Sequence, residues 1–137
     1  MVCIYCGGDT SVSNSRSQTK TNQVWRRRHC LDCDGLFTSI EVADLASSIL
    51  YKKDKRHVEP FERDKLFISI YESCKHRKDA PRAATALTTT VLSKLLAQIE
   101  TASLSREKVI DVSSIVLKHF DKAAATQYLA YHPPHKS

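Results

Sequence analysis

Four of the five cysteines stand in two Cys-x-x-Cys pairs, Cys3/Cys6 and Cys30/Cys33, with 23 residues between the pairs. A two-residue spacer lets a tight turn aim both thiolates at one ion, and two such turns complete a tetrahedral site. Four thiolates suit zinc and leave no position for water, so the ion would hold a fold together and do no chemistry. Disulfide pairing is the competing use of these thiols, and it needs an oxidising compartment. Residues 1–6 show no basic stretch followed by an apolar one that would mark a secretory signal. One structural Zn2+ per chain, on Cys3, Cys6, Cys30 and Cys33, is the expectation. Cys74 stands apart among apolar helix positions and reads as a core residue.

Arg26, Arg27 and Arg28 follow Trp25 on what reads as a strand, so Arg26 and Arg28 share one face and Arg27 takes the other. A guanidinium fork matches a phosphate, or guanine O6/N7, bidentately. With Arg16 on the facing strand, the run suits nucleic acid. A solvated basic strand edge that discourages aggregation would read the same way. Further on, Lys52, Lys53, Lys55, Arg56, Arg63 and Lys65 lie within fourteen residues, in a hairpin that leads into a helix start. Such a setting can gather charge around a polyphosphate. It can equally be a solvated face, and there is no Walker or Rossmann glycine pattern. No Gly-x-Ser-x-Gly elbow or His-Glu-x-x-His helix is present. The six histidines (29, 57, 76, 119, 132 and 135) show no zinc-ligand spacing. Catalysis is not expected.

These groups must be positioned by a chain of 137 residues, 42% hydrophobic and 26% charged, an ordinary globular balance. No apolar run approaches the roughly 18–20 residues of a membrane span, so a cytoplasmic protein without membrane partners is expected. The net charge of +6 favours an anionic partner. Its distribution is uneven: residues 1–48 carry five bases and five acids, whereas residues 49–82 carry ten bases and six acids.

Residues 1–45 hold too few large apolar side chains for a core, so the metal must supply folding energy. Short strands are expected over 11–16 and 23–29, the plan of a zinc ribbon. A linker at 41–48 leads to a hairpin over 49–61 with a charged turn. Leu66, Phe67, Ile70, Tyr71 and Cys74 mark a helix over 62–77. Asp79 and Pro81 start a second helix, to about residue 100, with Leu87, Val91, Leu95 and Ile99 inward. Ser105 caps a third, with Val109, Val112, Val116 and Phe120 inward. Residues 123–131 read as strand or helix end, and no internal repeat is evident. The class is α+β: a small ribbon over 1–45, then a hairpin with a mainly helical bundle over 49–132.

The ordered set Cys3-x-x-Cys6, Asn14-Ser15-Arg16, Trp25-Arg-Arg-Arg28, Cys30-x-x-Cys33, Phe37-Thr38 and Glu41 resembles the zinc ribbon of the NrdR transcriptional repressors. The segment Val58-Glu-Pro-Phe-Glu-Arg-Asp-Lys-Leu66, after the two lysines, resembles their ATP-cone. The resemblance implies a repressor of ribonucleotide reductase genes in the bacterial cytoplasm, associated with the nucleoid. Its ribbon would bind operator double-stranded DNA through Arg16, Arg26, Arg27 and Arg28. Its cone would bind ATP or dATP as a regulatory ligand and set the state of a homo-oligomer. Carried over by position, the nucleotide contacts fall on Lys52 or Lys53, Glu59, Phe61, Arg63 and Lys65. Two other readings remain: a nucleic-acid-binding ribbon with no nucleotide switch, and a regulatory subunit of a nucleotide-metabolising enzyme. The closing segment, 123–132, departs from the family pattern, and Ile4, Trp25 and Leu36 replace residues usual at those positions.

Overall fold

The structure, a computed structural model, describes residues 1–134; His135 lies outside them. It is α+β, and its contacts fall into two units, Met1–Ala43 and the chain from Asp44 onward.

The first unit is a three-stranded antiparallel sheet in the order β1-β2-β3, formed by β1 (Thr10–Gln18), β2 (Gln23–Cys30) and β3 (Leu36–Glu41). β1 and β2 occupy the two runs expected from the sequence, extended by one or two residues. β3 is an addition, because Leu36-Phe-Thr-Ser-Ile-Glu does not alternate apolar with polar residues. It is held by register against β2, with Phe37 opposite Arg28 and Ile40 opposite Trp25. Among the described residues of this unit, the buried apolar side chains are Cys3, Cys30 and Phe37. The Tyr5 ring meets Phe37 edge-on at 6.2 Å.

The second unit opens with a single helical turn, α1 (Leu45–Ser48), where a linker is expected from the sequence. Leu45 packs against the core and its carbonyl accepts from the Ile49 amide. Strands β4 (Leu50–Lys52) and β5 (Val58–Pro60) form the anticipated hairpin. Its turn needs no glycine: the Asp54 carboxylate accepts from the Arg56 and His57 amides, at 2.7 and 2.9 Å. An Asx-type turn of this kind replaces a glycine's backbone freedom with side-chain hydrogen bonds. The Arg56 amide first, and then the His57 side chain, hold that carboxyl below its usual range. A third strand, β6 (Ser103–Ser105), pairs in parallel with β4. Three residues carry no periodicity, so only the tertiary pairing makes this a strand.

The helices are α2 (Arg63–Ser73), α3 (Ala80–Ala97), α4 (Arg106–Phe120) and α5 (Lys122–Tyr131). Pro81 begins α3 where its missing N–H costs nothing. Ser105 caps α4 by accepting from the Lys108 amide. The ambiguous last segment is a helix. Asp121 accepts from the Ala123 and Ala124 amides, and the alanine-rich start favours helical backbone. The bundle therefore has four main helices. α2 packs on α3 and α5, and α4 on α3 and α5. Their shared core includes Leu66, Ile70, Cys74, Leu87, Val91, Leu95, Val109, Val112, Val116, Leu117 and Tyr128. Phe120, expected inward, is exposed and lies under the Arg77 guanidinium at 4.6 Å. Among the described residues, no helix is long and apolar enough to cross a membrane.

Candidate functional site

The four cysteine sulfurs of the ribbon lie within 4.8 Å of one another. Cys3 and Cys33 Sγ are 3.7 Å apart, and Cys6 and Cys30 Sγ are 3.5 Å apart. A tetrahedral ion with Zn–S bonds near 2.3 Å sets its ligands about 3.8 Å apart, so these residues fit zinc. Both turns are built alike. The Cys3 amide donates to the Gly8 carbonyl and the Cys30 amide to the Gly35 carbonyl, at 2.8 and 2.9 Å. In each, the residue after the second cysteine is left-handed: Gly7 at φ +77° and Asp34 at φ +59°. A Cβ at position 35 would sit 2.6 Å from the Tyr5 ring, so the chain turns there only as glycine. The six-residue pattern Cys-x-x-Cys-x-Gly thus occurs twice (residues 3–8 and 30–35), a signal present in the sequence that spacing between cysteines alone does not use.

The amides of Tyr5 and Gly8 donate to Cys3 and Cys6 Sγ, and those of Asp32 and Cys33 to Cys30 Sγ, each at 3.4 Å. Such donors favour thiolate. At Cys3, burial opposes ionisation, but the Tyr5 and Cys6 amides and the neighbouring sulfurs bring its pKa down to about 7. At Cys6, the Gly8 amide favours ionisation, yet the surrounding sulfurs push the pKa up to about 12. Four thiolates cannot share this space without a cation among them. Zinc would supply that charge and tie both turns to one centre.

The sequence-selected arginines divide between two faces of the sheet. Arg16 pairs with Trp25, and Arg27 with Thr38, on one face. On the other, Arg28 Nε donates to Ser39 Oγ at 2.8 Å and its Nη1 to Thr10 Oγ1 at 3.4 Å. Arg26 Nη1 donates to Ser15 Oγ at 3.1 Å, and Arg26 lies 3.9 Å from the Glu41 carboxylate. The alternation expected for Arg26, Arg27 and Arg28 is what the sheet shows.

In the second unit a cavity of about 200 Å³ opens beside the hairpin, lined by Tyr51, Glu59, Phe61, Lys65, Arg106, Tyr128 and His132 among others. The structure gathers Glu59, Phe61 and Lys65 of the expected nucleotide contacts here, with Lys65 Nζ 3.4 Å from Glu59 Oε1. Phe61 is buried and meets the Tyr51 ring edge-on at 6.4 Å. Lys52, Lys53 and Arg63 are not among the lining residues. Lys52 pairs with Val58 on the strand face opposite Tyr51 and Glu59, and Arg63 donates to Thr89 Oγ1 at 3.5 Å. Arg106, Tyr128 and His132 were not singled out in the sequence. Arg106 begins α4 directly after its cap, while Tyr128 and His132 are one turn apart, their rings 4.5 Å apart. Burial first, and then Arg106, hold His132 below the usual imidazole range. Burial pushes the Tyr51 and Tyr128 hydroxyls upward.

Comparison with known proteins matches residues 1–41 to the family described as transcriptional repressor NrdR-like, N-terminal domain. The transcriptional repressor NrdR of Sinorhizobium medicae is 36% identical over 130 residues, covering 93% of this chain and 81% of that protein. The chain belongs to the NrdR family. The NrdR of Methylobacterium sp. is 35% identical over 133 residues, covering 93% of this chain and 68% of the relative. That of Symbiobacterium thermophilum is 42% identical over 77 residues, covering 56% of this chain. In this last case the chain spans about half the relative's length, 51%. Each of these relatives is named as a transcriptional repressor.

Proposed function

We propose that this chain is a transcriptional repressor working in the bacterial cytoplasm, on the nucleoid. Residues 1–45 bind operator DNA of ribonucleotide reductase genes, and residues 49–132 act as an ATP-cone. ATP or dATP bound there sets the state of a homo-oligomer, and the oligomer sets how many ribbons engage DNA together. One observation carries the reading: a zinc-ribbon sheet bearing four arginines is joined, in one NrdR-family chain, to a unit with a cavity edged by Lys65 and Arg106. At about 200 Å³ this cavity is smaller than the roughly 300–1,000 Å³ of a typical ligand site. A cavity of this size suits a ring system, which would leave the phosphates to Lys65 and Arg106 at its edge.

The test is light scattering of the zinc-loaded chain without nucleotide, with ATP and with dATP, repeated with a promoter-derived duplex. Nucleotide should change both mass and DNA affinity, and by linkage DNA should change nucleotide affinity by the same factor. Lys65→Ala should abolish both nucleotide effects while zinc content stays at one per chain. Identical mass and DNA affinity in all three states would leave a DNA-binding ribbon without a switch.

A further inference from the structure

The two faces of the ribbon sheet differ in what they expose. Reading across β1, β2 and β3, one face presents Arg16–Trp25–Ile40, then Asn14–Arg27–Thr38, then His29 beside Leu36. Trp25, Ile40 and Leu36 are 45%, 52% and 49% exposed. Trp25 and Ile40 face each other in register and form a continuous apolar strip beside the two guanidiniums. No strand carboxylate lies on this face, and the Asp34 carboxylate, in the turn before β3, is taken up by His29 Nε2 at 3.0 Å. On the first face Arg27 is exposed, its Nη1 donating to Thr38 Oγ1 at 3.2 Å; the opposite face exposes Val12, paired with Arg28, and holds its arginines more closely. Arg26 and Arg28 are half-buried and engaged by Ser15, Ser39 and Thr10, Glu41 sits beside Arg26, and Phe37 is buried.

A β-bulge creates this division. The register steps between Val12 and Asn14, which leaves Ser13 as the extra residue, its hydroxyl donating to the Arg27 carbonyl at 3.1 Å. In the register that pairs Thr10 with Cys30, Arg16 would fall opposite Val24, on the face of Arg26 and Arg28. The bulge moves it opposite Trp25 instead. Bulges commonly re-aim a side chain in this way.

We propose that the Trp25 face of the ribbon is the surface that meets duplex DNA, with Arg16 and Arg27 on phosphates and the Trp25–Ile40 strip on the bases of a groove. This rests on the reading of the ribbon as a DNA-binding module and names the face that does it. Uncompensated guanidiniums complement a polyanion. Three strands span about 10 Å, comparable with the roughly 12 Å width of a major groove. An apolar strip between the cations can contact thymine methyls or lean on a base step, contacts that depend on sequence. Arg26 and Arg28 then serve the sheet itself.

Trp25 is the sole tryptophan, so its emission reports this face alone. The zinc-loaded chain is titrated with an A·T-rich duplex of about 30 base pairs at low salt, and anisotropy of a labelled copy reports binding separately. The Trp25 emission should change along the same isotherm as the anisotropy. Trp25→Ala should weaken binding about tenfold, and Trp25→Phe should restore most of it. Arg16→Ala and Arg27→Ala should each lower the salt slope by about one, while Arg26→Ala and Arg28→Ala leave it unchanged. Zinc content shows that each variant is folded; if one fails to hold zinc, the wild-type emission decides. Saturated anisotropy with unchanged emission, a slope lost at Arg26 or Arg28 instead, or tighter binding to the unpaired strand overturns this face and leaves DNA binding intact. No anisotropy change with any duplex overturns the DNA reading itself, and the face with it.

Discussion

In the unit that ends at Ala43 the buried apolar side chains are Cys3, Cys30 and Phe37, two of them ligand candidates. In the unit that begins at Asp44, a continuous apolar cluster runs from Ile49 through all four main helices to Tyr128. Burial at roughly 25 cal/mol per Å² can support the second and cannot support the first. The ribbon instead spends its sequence on two cysteine turns and a ladder of strand hydrogen bonds, which leaves its sheet faces free to carry arginine and tryptophan. The comparison teaches that a metal centre replaces a core and releases surface for binding.

Metal removal should separate the two units most sharply. Chelation, or Cys30→Ser, should unfold residues 1–43 outright, because structural zinc contributes on the order of 10–16 kcal/mol to such folds. The helices of the second unit should persist, seen as loss of ribbon amide dispersion beside retained far-UV helix signal. A cooperative metal-free ribbon would erase the contrast.

The converse break is in the core. Leu95 is fully buried between helices, so Leu95→Ala should cost the second unit about 2–5 kcal/mol in urea unfolding and leave the zinc content unchanged.

A smaller effect tests the polar tie that joins the α2–α3 turn to the start of α5. Asp121 Oδ2 lies 2.9 Å from His76 Nε2 and 3.2 Å from Arg77 Nη1, and Arg77 also meets Asp79. The His76 contact first, with the Ala124 and Ala123 amides and Arg77, outweighs burial and holds the Asp121 pKa at about 2. Its unfolded value is the ordinary 3.8. A depressed carboxyl stabilises the fold above the unfolded pKa and loses that contribution as pH falls through the folded one. Stability of the second unit should therefore decline between about pH 4 and 2. Asp121→Asn keeps a capping side chain and removes the charge, so the variant should show a shallower decline over that window. An unchanged slope would assign the acid sensitivity elsewhere.

The smallest effect should come from Glu41→Gln. Its contact with Arg26 is long at 3.9 Å and the glutamate is exposed, so ribbon stability should move by no more than about 0.5 kcal/mol at physiological salt.

The zinc ligands, the two leading ribbon strands, the hairpin and three of the helices are legible in the residues, because each rests on local spacing. A Cys-x-x-Cys turn, an alternating run and a 3.6-residue stripe are properties of short segments. β3 and β6 are not legible in that way. They exist because a partner strand supplies their hydrogen bonds: β3 does not alternate cleanly, and the three-residue β6 has no pattern of its own. The fate of residues 122–131 likewise depended on Asp121 capping a helix that Tyr128 could bury.

The site divides along the same line. That Arg27 parts from Arg26 and Arg28 follows from strand pleating, which the sequence determines once the strand is known. That Arg16 joins Arg27 and Trp25 follows from the extra residue at Ser13, and register between strands is a tertiary fact. In the second unit the motif residues Glu59, Phe61 and Lys65 came from a contiguous segment. Arg106, Tyr128 and His132 meet them only after the chain has folded across more than forty residues. The sequence alone determined which chemistry each unit carries, since residue type and local spacing settle that. The tertiary structure decided which side chains share a face or a cavity, because only packing and strand register bring distant residues together.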